Sequence, residues 1–304
     1  MLRPTSTKWA PDETDWVDWL VAAALFVAVM IVLARTSSMG IPRDESFYFH
    51  AAGEYGNWFK ELVRNYRAGE LWESFTKSNI DKHWSYNSEH PVLMKSLFAL
   101  SNLLFDNTLG WMRPMLAMRL PAMATAAGCV AITYLFARQT FGRLAGLTAG
   151  AALLFQPRFF FHGHLSCFDV PITFFWMATV YAYWRSLDDT RWALATGVIW
   201  GLALCTKLNA FFLPVVLTGH WLLTNWKDLR VRRSEAGRVI SLPSMPWALV
   251  SMAILGPIVF YALTPRFWFN TAHRVGKYIA FHLNHVHYFV YYFGENVLRP
   301  HCRS

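Results

Sequence analysis

Apolar runs of about membrane-spanning length recur along the chain of 304 residues. They lie at 16–34, 115–137, 144–161, 170–184, 192–206, 208–223 and 247–263. A helix needs roughly 17 to 25 mainly apolar residues to cross the hydrocarbon core. Since backbone polar groups must be paired inside lipid, the runs predict helices, whereas a barrel would need alternating strands. We predict an all-α integral membrane fold, a polytopic bundle of about seven transmembrane helices in one membrane domain over 1–304.

The polar segment between the first two runs predicts surface helices. Residues 35–91 are rich in charge, and their weakly amphipathic pieces at 47–59 and 58–66 suit helices lying flat on the membrane. The next apolar run, 92–105, is too short for a full crossing. It predicts a half-inserted or juxtamembrane helix, so that 35–91 forms the first extracytoplasmic loop with amphipathic juxtamembrane helices.

The distribution of basic residues sets the orientation. With the N-terminus in the cytoplasm, the inner loops are 138–143, 185–191 and 225–245, and the last of these is strongly basic. Residues 35–91, the turn at Lys207 and a tail at 265–304 then lie outside. A full crossing by 92–105 would place the basic loop outside, which favours the half-inserted interpretation.

The charge and cysteine content indicate which classes of partner the chain binds. Only 15% of residues are charged, against about 25% in soluble proteins. The net charge of +9 would suggest nucleic acid in a soluble chain, but here the basic residues sit in short loops, with no zinc-finger spacing and no interleaving of aromatic and basic residues. We therefore predict membrane lipids as partners and no nucleic acid. The four cysteines form no CxxC pair, so neither a disulfide framework nor a cysteine metal site is predicted.

Three acids are predicted at the outer membrane surface. Asp44 and Glu45 follow the first apolar run, where they serve either as helix N-terminal residues or in chemistry. Asp169 lies in a short loop between two apolar runs, where an acid is costly unless it is partnered or functional. A helix-cap role before Pro171 is the structural alternative. The residue types alone leave both interpretations open.

Three cations are predicted on the same side. Lys95, Arg119 and Lys207 each follow or open an apolar run near the outer surface. Lys95 could simply extend its ammonium group to the interface. Together with the acids, these cations could bind an anionic headgroup and activate a hydroxyl.

Five segments, taken in chain order over residues 16–295, resemble motifs of GT-C glycosyltransferases that take sugar from a polyprenyl phosphate. The resemblance is greatest to the protein O-mannosyltransferases of glycosyltransferase family 39 and the aminoarabinose transferases. The matching segments are Asp44-Glu45, His90-Pro91-Val92-Leu93-Met94-Lys95, Arg119-Leu120-Pro121, Asp169 and Gly201-Leu202-Ala203-Leu204-Cys205-Thr206-Lys207-Leu208. Val92 and Leu208 depart from the family pattern, which has Pro and Gly there.

The resemblance implies an inverting membrane glycosyltransferase that transfers a hexose, mannose favoured, from a polyprenyl-phosphate sugar to an acceptor hydroxyl outside the cytoplasm. Asp44 would be the general base, with Glu45 and Asp169 as further catalytic acids. The donor phosphate would be bound by His90, Lys95, Arg119 and Lys207. The acceptor would be a protein, a lipid or a glycan, and the compact loops favour the bacterial inner (plasma) membrane.

The resemblance also bears on cofactors and on completeness. It implies no certain cofactor beyond the lipid-linked sugar donor. The aminoarabinose branch suggests a divalent metal held by Glu89 and His285. The alternative interpretation is that His285 simply lies at the membrane interface. Family members continue with more spans or a soluble domain, so we expect a C-terminally shortened chain. The alternatives to an active enzyme are an inactive fragment, a noncatalytic membrane scaffold or a transporter, although we see neither broken helices nor paired repeats.

Overall fold

Helices make up nearly all of the structure. The computed structural model describes residues 14–226, 230–234, 237–241, 245–284, 289–292 and 295–298. The α-helices among these residues are α1 (Trp16–Arg35), α2 (Arg43–Ala68), α3 (Lys77–His83), α4 (Leu93–Asn102), α5 (Pro114–Phe141), α6 (Arg143–Leu154), α7 (Pro157–Gly163), α8 (Asp169–Ser186), α9 (Trp192–Leu204), α10 (Leu213–Asn225), α11 (Trp247–Leu263) and α12 (Thr271–Leu283). The predicted all-α class is confirmed.

Short irregular elements complete the described part of the chain. Turns of 3₁₀-helix lie at Leu71–Phe75, Leu208–Phe212 and Pro265–Phe267, and a π-helical turn at Leu103–Thr108. Two antiparallel hairpins were not predicted from the sequence. They pair β1 (Arg230–Ser234) with β2 (Gly237–Ser241), and β3 (Phe289–Tyr292) with β4 (Glu295–Leu298).

Each predicted apolar run coincides with helix, but the helices differ in length. By length and composition, α1 and α5 can each cross a membrane, and the pair α6 and α7, bent by 71°, adds a third candidate. The bend falls at Gln156, which is extended because the following Pro157 disfavours helical backbone at the residue before it. The helices α9 and α11 are apolar but shorter, so length alone does not establish all seven predicted crossings.

Close packing of α9 against α11 fixes the outer end of α9. A Cβ atom added at Gly197 would lie 2.2 Å from the Ser251 hydroxyl, and one at Gly256 would lie 2.2 Å from the Trp200 ring. Small residues of this kind let membrane helices approach closely. Where α9 ends, the carbonyl of Cys205 accepts the N–H of Leu93 at 2.9 Å, which ties the start of α4 to this end of the bundle.

The first outer loop is built on one long amphipathic helix. The helix α2 runs for 26 residues and packs its buried Tyr55 and Trp58 against Trp84, with ring centroids 4.1 and 5.3 Å apart. Helix is thus confirmed in the predicted amphipathic segment, and its position along the membrane surface stays a prediction. The run 92–105 forms α4 and the π-helical turn after it, and α4 has only 10 residues, too few to cross the bilayer.

Candidate active site

Asp44 lies in the first turn of α2 with an exposed side chain. Pro42 precedes the helix in extended conformation, and a proline here starts a helix readily because its fixed φ is already helical. Among the described residues, the Asp44 carboxylate makes no hydrogen bond or ion pair. Its oxygens are therefore open to a hydroxyl group of a bound ligand.

Three aromatic rings lie beside this carboxylate and form what we call the aromatic cluster: Tyr48, His90 and Phe168. Tyr48 is one helical turn after Asp44. Its ring stacks on Phe168 at 4.1 Å between centroids and meets the edge of His90 at 5.8 Å. Phe168 immediately precedes Asp169, so this packing brings the start of α2 next to the start of α8.

The charges of the acids act on the buried groups in and beside this cluster. Burial raises the pKa of Tyr48, and the charges of Asp44 and Asp169 raise it further. Burial likewise raises the pKa of the Cys167 thiol to about 12, and Glu45, Asp169 and Asp44 all add to that shift. Asp44 and Asp169, which are 125 residues apart in the sequence, therefore act on the same buried groups.

Asp169 forms an ion pair with Lys207. It is the first residue of α8, and its carboxylate lies 2.7 Å from the Lys207 ammonium group, which follows α9. The side chains are 55% and 44% exposed. Because both groups remain open to solvent, the pair can exchange its internal contact for an interaction with a ligand.

We predict that breaking this pair changes stability little. Replacing Lys207 by Met should lower the free energy of unfolding by about 0.2–1 kcal/mol, since exposed ion pairs contribute only that much. Thermal unfolding in detergent would measure it, with Lys77→Met as the control, because Lys77 also forms an exposed ion pair, with Asp81 at 2.7 Å. A collapse of the fold on Lys207→Met alone would contradict a solvent-facing role for this lysine.

Glu45 and Arg119 form a fully buried ion pair. Both side chains have zero exposure, and the guanidinium contacts the carboxylate twice, at 2.8 and 2.6 Å. The remaining Arg119 N–H groups go to Ser37, Met39 and Gly40. The Glu45 carboxylate also accepts the backbone N–H of Ser166 at 2.9 Å.

This arrangement bears on the predicted roles of the pair. A guanidinium has five N–H donors, and here the contacts to Glu45, Ser37, Met39 and Gly40 use all five. No donor is left to hold a donor phosphate directly, and the carboxylate is shielded from any acceptor. The pair instead joins the segment before α2, the first turn of α2, α5 and the segment between α7 and α8 that contains Ser166.

Lys95 is also buried, with its ammonium group directed at the preceding turn. Its Nζ donates to the backbone carbonyls of Asn87 at 2.6 Å and His90 at 2.9 Å, and to the Asn87 side-chain oxygen at 3.4 Å. Burial lowers the pKa of Lys95 to about 7, while the nearby charge of Glu89 opposes this shift. Lys95 therefore fixes the backbone that carries Glu89 and His90.

We predict that Lys95→Met loosens this turn. The carbonyls of Asn87 and His90 would lose their donor, which should cost about 1–3 kcal/mol of unfolding free energy. Hydrogen exchange of residues 87–90 and thermal unfolding would measure the effect. Lys82→Met is the matched control, since Lys82 is exposed and lies 3.4 Å from Glu61. Equal stability of the two variants would contradict an anchoring role for Lys95.

His90 presents a neutral imidazole to the cluster. Burial, followed by the charge of Lys95, lowers the pKa of His90, and Lys207 contributes in the same direction. At pH 7 the ring therefore keeps one N–H donor and one acceptor nitrogen. Its ring lies beside the stacked pair of Tyr48 and Phe168, with centroid distances of 5.8 and 6.0 Å, and it can hydrogen-bond a ligand but cannot supply a positive charge.

Of the two predicted metal ligands, Glu89 and His285, the structure describes only Glu89. Glu89 accepts a hydrogen bond from the Asn87 amide at 3.0 Å, whereas His285 lies outside the described residues. Within the described part of the chain, no group of three or more His, Cys, Asp or Glu side chains is placed to hold a metal ion. The metal site at Glu89 and His285 stays a prediction.

Sequence inspection missed the aromatic side chains and the contacts of the tail helix. Tyr48 could have been found from its spacing of one helical turn from Asp44. The ion pairs of Arg266 and Arg274 with Asp81, at 2.6 and 2.7 Å, tie α12 and the turn before it to the first outer loop. These residues are nearly 200 positions apart, and no local pattern indicates the contact.

Comparison with known families decides the relationship. A family model described as dolichyl-phosphate-mannose-protein mannosyltransferase matches residues 89–249, just over half of the chain. The chain belongs to this family. The matched segment includes His90, Lys95, Arg119, Asp169 and Lys207, while Asp44 and Glu45 precede it.

A solved structure agrees with the family in fold. The crystal structure of ArnT from Cupriavidus metallidurans in the apo state superposes with a TM-score of 0.55 at 18% sequence identity, over 90% of this chain and 45% of that chain. The predicted resemblance to GT-C glycosyltransferases and the GT-C-like membrane fold are therefore confirmed. This chain spans less than half the length of the ArnT chain. A search of curated proteins found no match to this chain.

Proposed function

We propose that this mannosyltransferase-family chain carries the catalytic acids of a membrane glycosyltransferase. It would transfer a hexose, mannose favoured, from a polyprenyl-phosphate sugar to an acceptor hydroxyl on a protein, lipid or glycan. The observation that carries the proposal is the exposed carboxylate of Asp44, which has no partner among the described residues and acts on the same Tyr48 ring as the solvent-facing pair of Asp169 and Lys207. Family membership supports the same reaction class.

The proposed reaction is a single displacement. Asp44 accepts the proton of the acceptor hydroxyl as its oxygen bonds to the anomeric carbon. The bond between that carbon and the phosphate oxygen breaks, and polyprenyl phosphate leaves with both electrons. The anomeric configuration inverts. Since phosphate is already a stable leaving group, no second acid is needed, unlike in many glycoside hydrolases.

Lys207 and His90 are the proposed donor-binding groups. The Lys207 ammonium group is 44% exposed and would offset the charge that develops on the departing phosphate. The neutral His90 ring would donate a hydrogen bond to a phosphate oxygen. Asp169 would hold Lys207 in place before the donor arrives and orient the sugar afterwards.

The buried cations have a different proposed role. Arg119 and Lys95 would act on the donor through the backbone they position, not by direct contact, because their N–H groups are already used by protein oxygens. Glu45 would likewise position Asp44, its neighbour in the first turn of α2. Fixing reactive groups in place is a large part of how enzymes accelerate bimolecular reactions.

The test is donor-dependent transfer in membranes. Membranes containing this chain, and matched membranes without it, would receive polyprenyl phosphate carrying a radiolabelled hexose or the corresponding nucleotide sugar. We expect label to leave only the lipid-linked donor, and only when the chain is present. Sealed vesicles of both orientations would place the reaction on the extracytoplasmic face of the bacterial inner membrane. Folded protein that consumes neither donor would contradict activity of this chain and favour an inactive fragment or a scaffold.

A further inference from the structure

A polar groove lies on the side of α2 that packs against α4. Its volume is about 250 Å³, and it runs along α2 from His50 to Lys60, with the end of α4 and the π-helical turn as the opposite wall. Buried Ala52 and Ala99 form part of its floor. None of the groups assigned to the transfer reaction lines this groove.

The groove is rich in uncommitted hydrogen-bonding groups. Asn57 and Lys60 are exposed and make no hydrogen bond or ion pair with another described residue. The side-chain oxygen of Asn102 is buried without a hydrogen-bond partner. Since buried polar atoms are usually paired, this acceptor is open to a hydrogen-bond donor from outside the chain.

Backbone features keep the groove open. A Cβ atom added at Gly53 would meet nothing within 4 Å, and one at Gly56 would make ordinary contacts with Ala99 at 3.9 Å and Leu103 at 4.0 Å. Opposite them, the helix widens into a π-helical turn at Leu103–Thr108. Turns of this type are uncommon and are frequently found at functional sites.

The charge balance of the groove distinguishes between ligand classes. It contains one carboxylate, Glu54, and one ammonium group, Lys60, so it carries no net charge. A phosphate site would need an excess of cationic donors, and a hard-cation site would need several oxygen anions. The amides of Asn57, Asn102 and Asn107 line the groove, and although the Asn107 amide already donates to Asp106, each still offers a donor and an acceptor, which matches a ligand with many hydroxyl groups.

We infer that the groove between α2 and α4 binds a neutral carbohydrate chain. His50 and Lys60 are ten residues apart on α2, which gives a length of about 15 Å, longer than a single sugar ring. The His50 ring, which lies at one end of the groove, packs against the ring of Tyr86 at 4.2 Å between centroids. His50 is only six residues after Asp44, about 9 Å along the helix.

The inference deepens the proposed function, on which it rests only for the identity of the carbohydrate. If the chain is a transferase, a glycan held along α2 would be part of an acceptor or of a product being extended. Binding in the groove does not itself require the Asp44 carboxylate. The two proposals can therefore be tested separately.

The experiment is direct binding to the whole chain in nanodiscs. Neutral tetrasaccharides of mannose, glucose and galactose would be tested by saturation-transfer NMR and by calorimetry at millimolar concentration. Gly53→Leu should abolish binding, because the added side chain would occupy the groove without striking the protein. Gly53→Ala should retain most of it, and Asn57→Ala should weaken it several-fold. Gly276→Leu is the matched control, since a Cβ there also meets nothing within 4 Å.

The outcomes separate the alternatives. Binding that is lost in Gly53→Leu, and unchanged in Asp44→Asn, would establish the site even if no transfer is observed. The same tetrasaccharide attached to a lipid or to a peptide would then show which source binds more tightly. Absence of binding by all three sugars, or competition by inorganic phosphate or by phosphatidylethanolamine vesicles instead, would overturn the inference.

Discussion

Replacing Asp44 by Asn is expected to reduce sugar transfer by about 10²–10⁴-fold, the usual contribution of a general base. The substitution keeps the size of the side chain and removes only its ability to accept a proton. Since the Asp44 side chain is exposed and unpaired among the described residues, the free energy of unfolding should change by no more than about 0.5 kcal/mol. The measurement is the rate at which labelled sugar leaves the lipid-linked donor.

A matched substitution controls for the general effect of removing a carboxylate. Asp189 lies between α8 and α9 with an exposed side chain that accepts the backbone N–H of Arg191 at 3.0 Å, and Asp189→Asn should transfer sugar at the wild-type rate. Asp44→Glu tests position, because it restores the carboxylate at a slightly different distance. Full activity of Asp44→Asn combined with loss in Asp169→Asn would move the base to Asp169.

Removing one partner of the buried Glu45–Arg119 pair is expected to be the most destabilising single change at this site. Glu45→Gln or Arg119→Met should lower the free energy of unfolding by about 3–5 kcal/mol. Glu45→Gln leaves the charge of Arg119 buried without its partner, and Arg119→Met does the same to the carboxylate of Glu45. Thermal unfolding in detergent would measure the loss. Transfer should also fall, since the first turn of α2 carries Asp44.

The double variant distinguishes charge pairing from packing. Glu45→Gln with Arg119→Met removes both charges and should be more stable than Glu45→Gln alone, since no unpaired charge remains buried. Asp15→Asn is the surface control, because Asp15 pairs with Arg143 in a half-exposed contact at 2.6 Å and should have a much smaller effect. If both single variants unfold like the wild type, the pair is not what holds these loops together.

The three predicted cations differ in their surroundings once the chain is folded. Arg119, Lys95 and Lys207 look alike in sequence, since each lies near the outer end of an apolar run. In the structure, only Lys207 keeps an exposed ammonium group, while the other two donate to backbone carbonyls of their own chain. Sequence position predicts a side of the membrane but does not show which acceptor a long side chain reaches.

The sequence by itself determined the fold class, because runs of apolar residues of bilayer length permit little besides helices. It also placed Asp44 and Asp169 near the ends of helices, since proline and acids favour helix starts. Only the tertiary structure decided which groups meet. The stacking of Tyr48 on Phe168 and the burial of Glu45 with Arg119 join segments more than 70 residues apart. Such contacts depend on helix packing and on desolvation, and a local pattern of residues predicts neither.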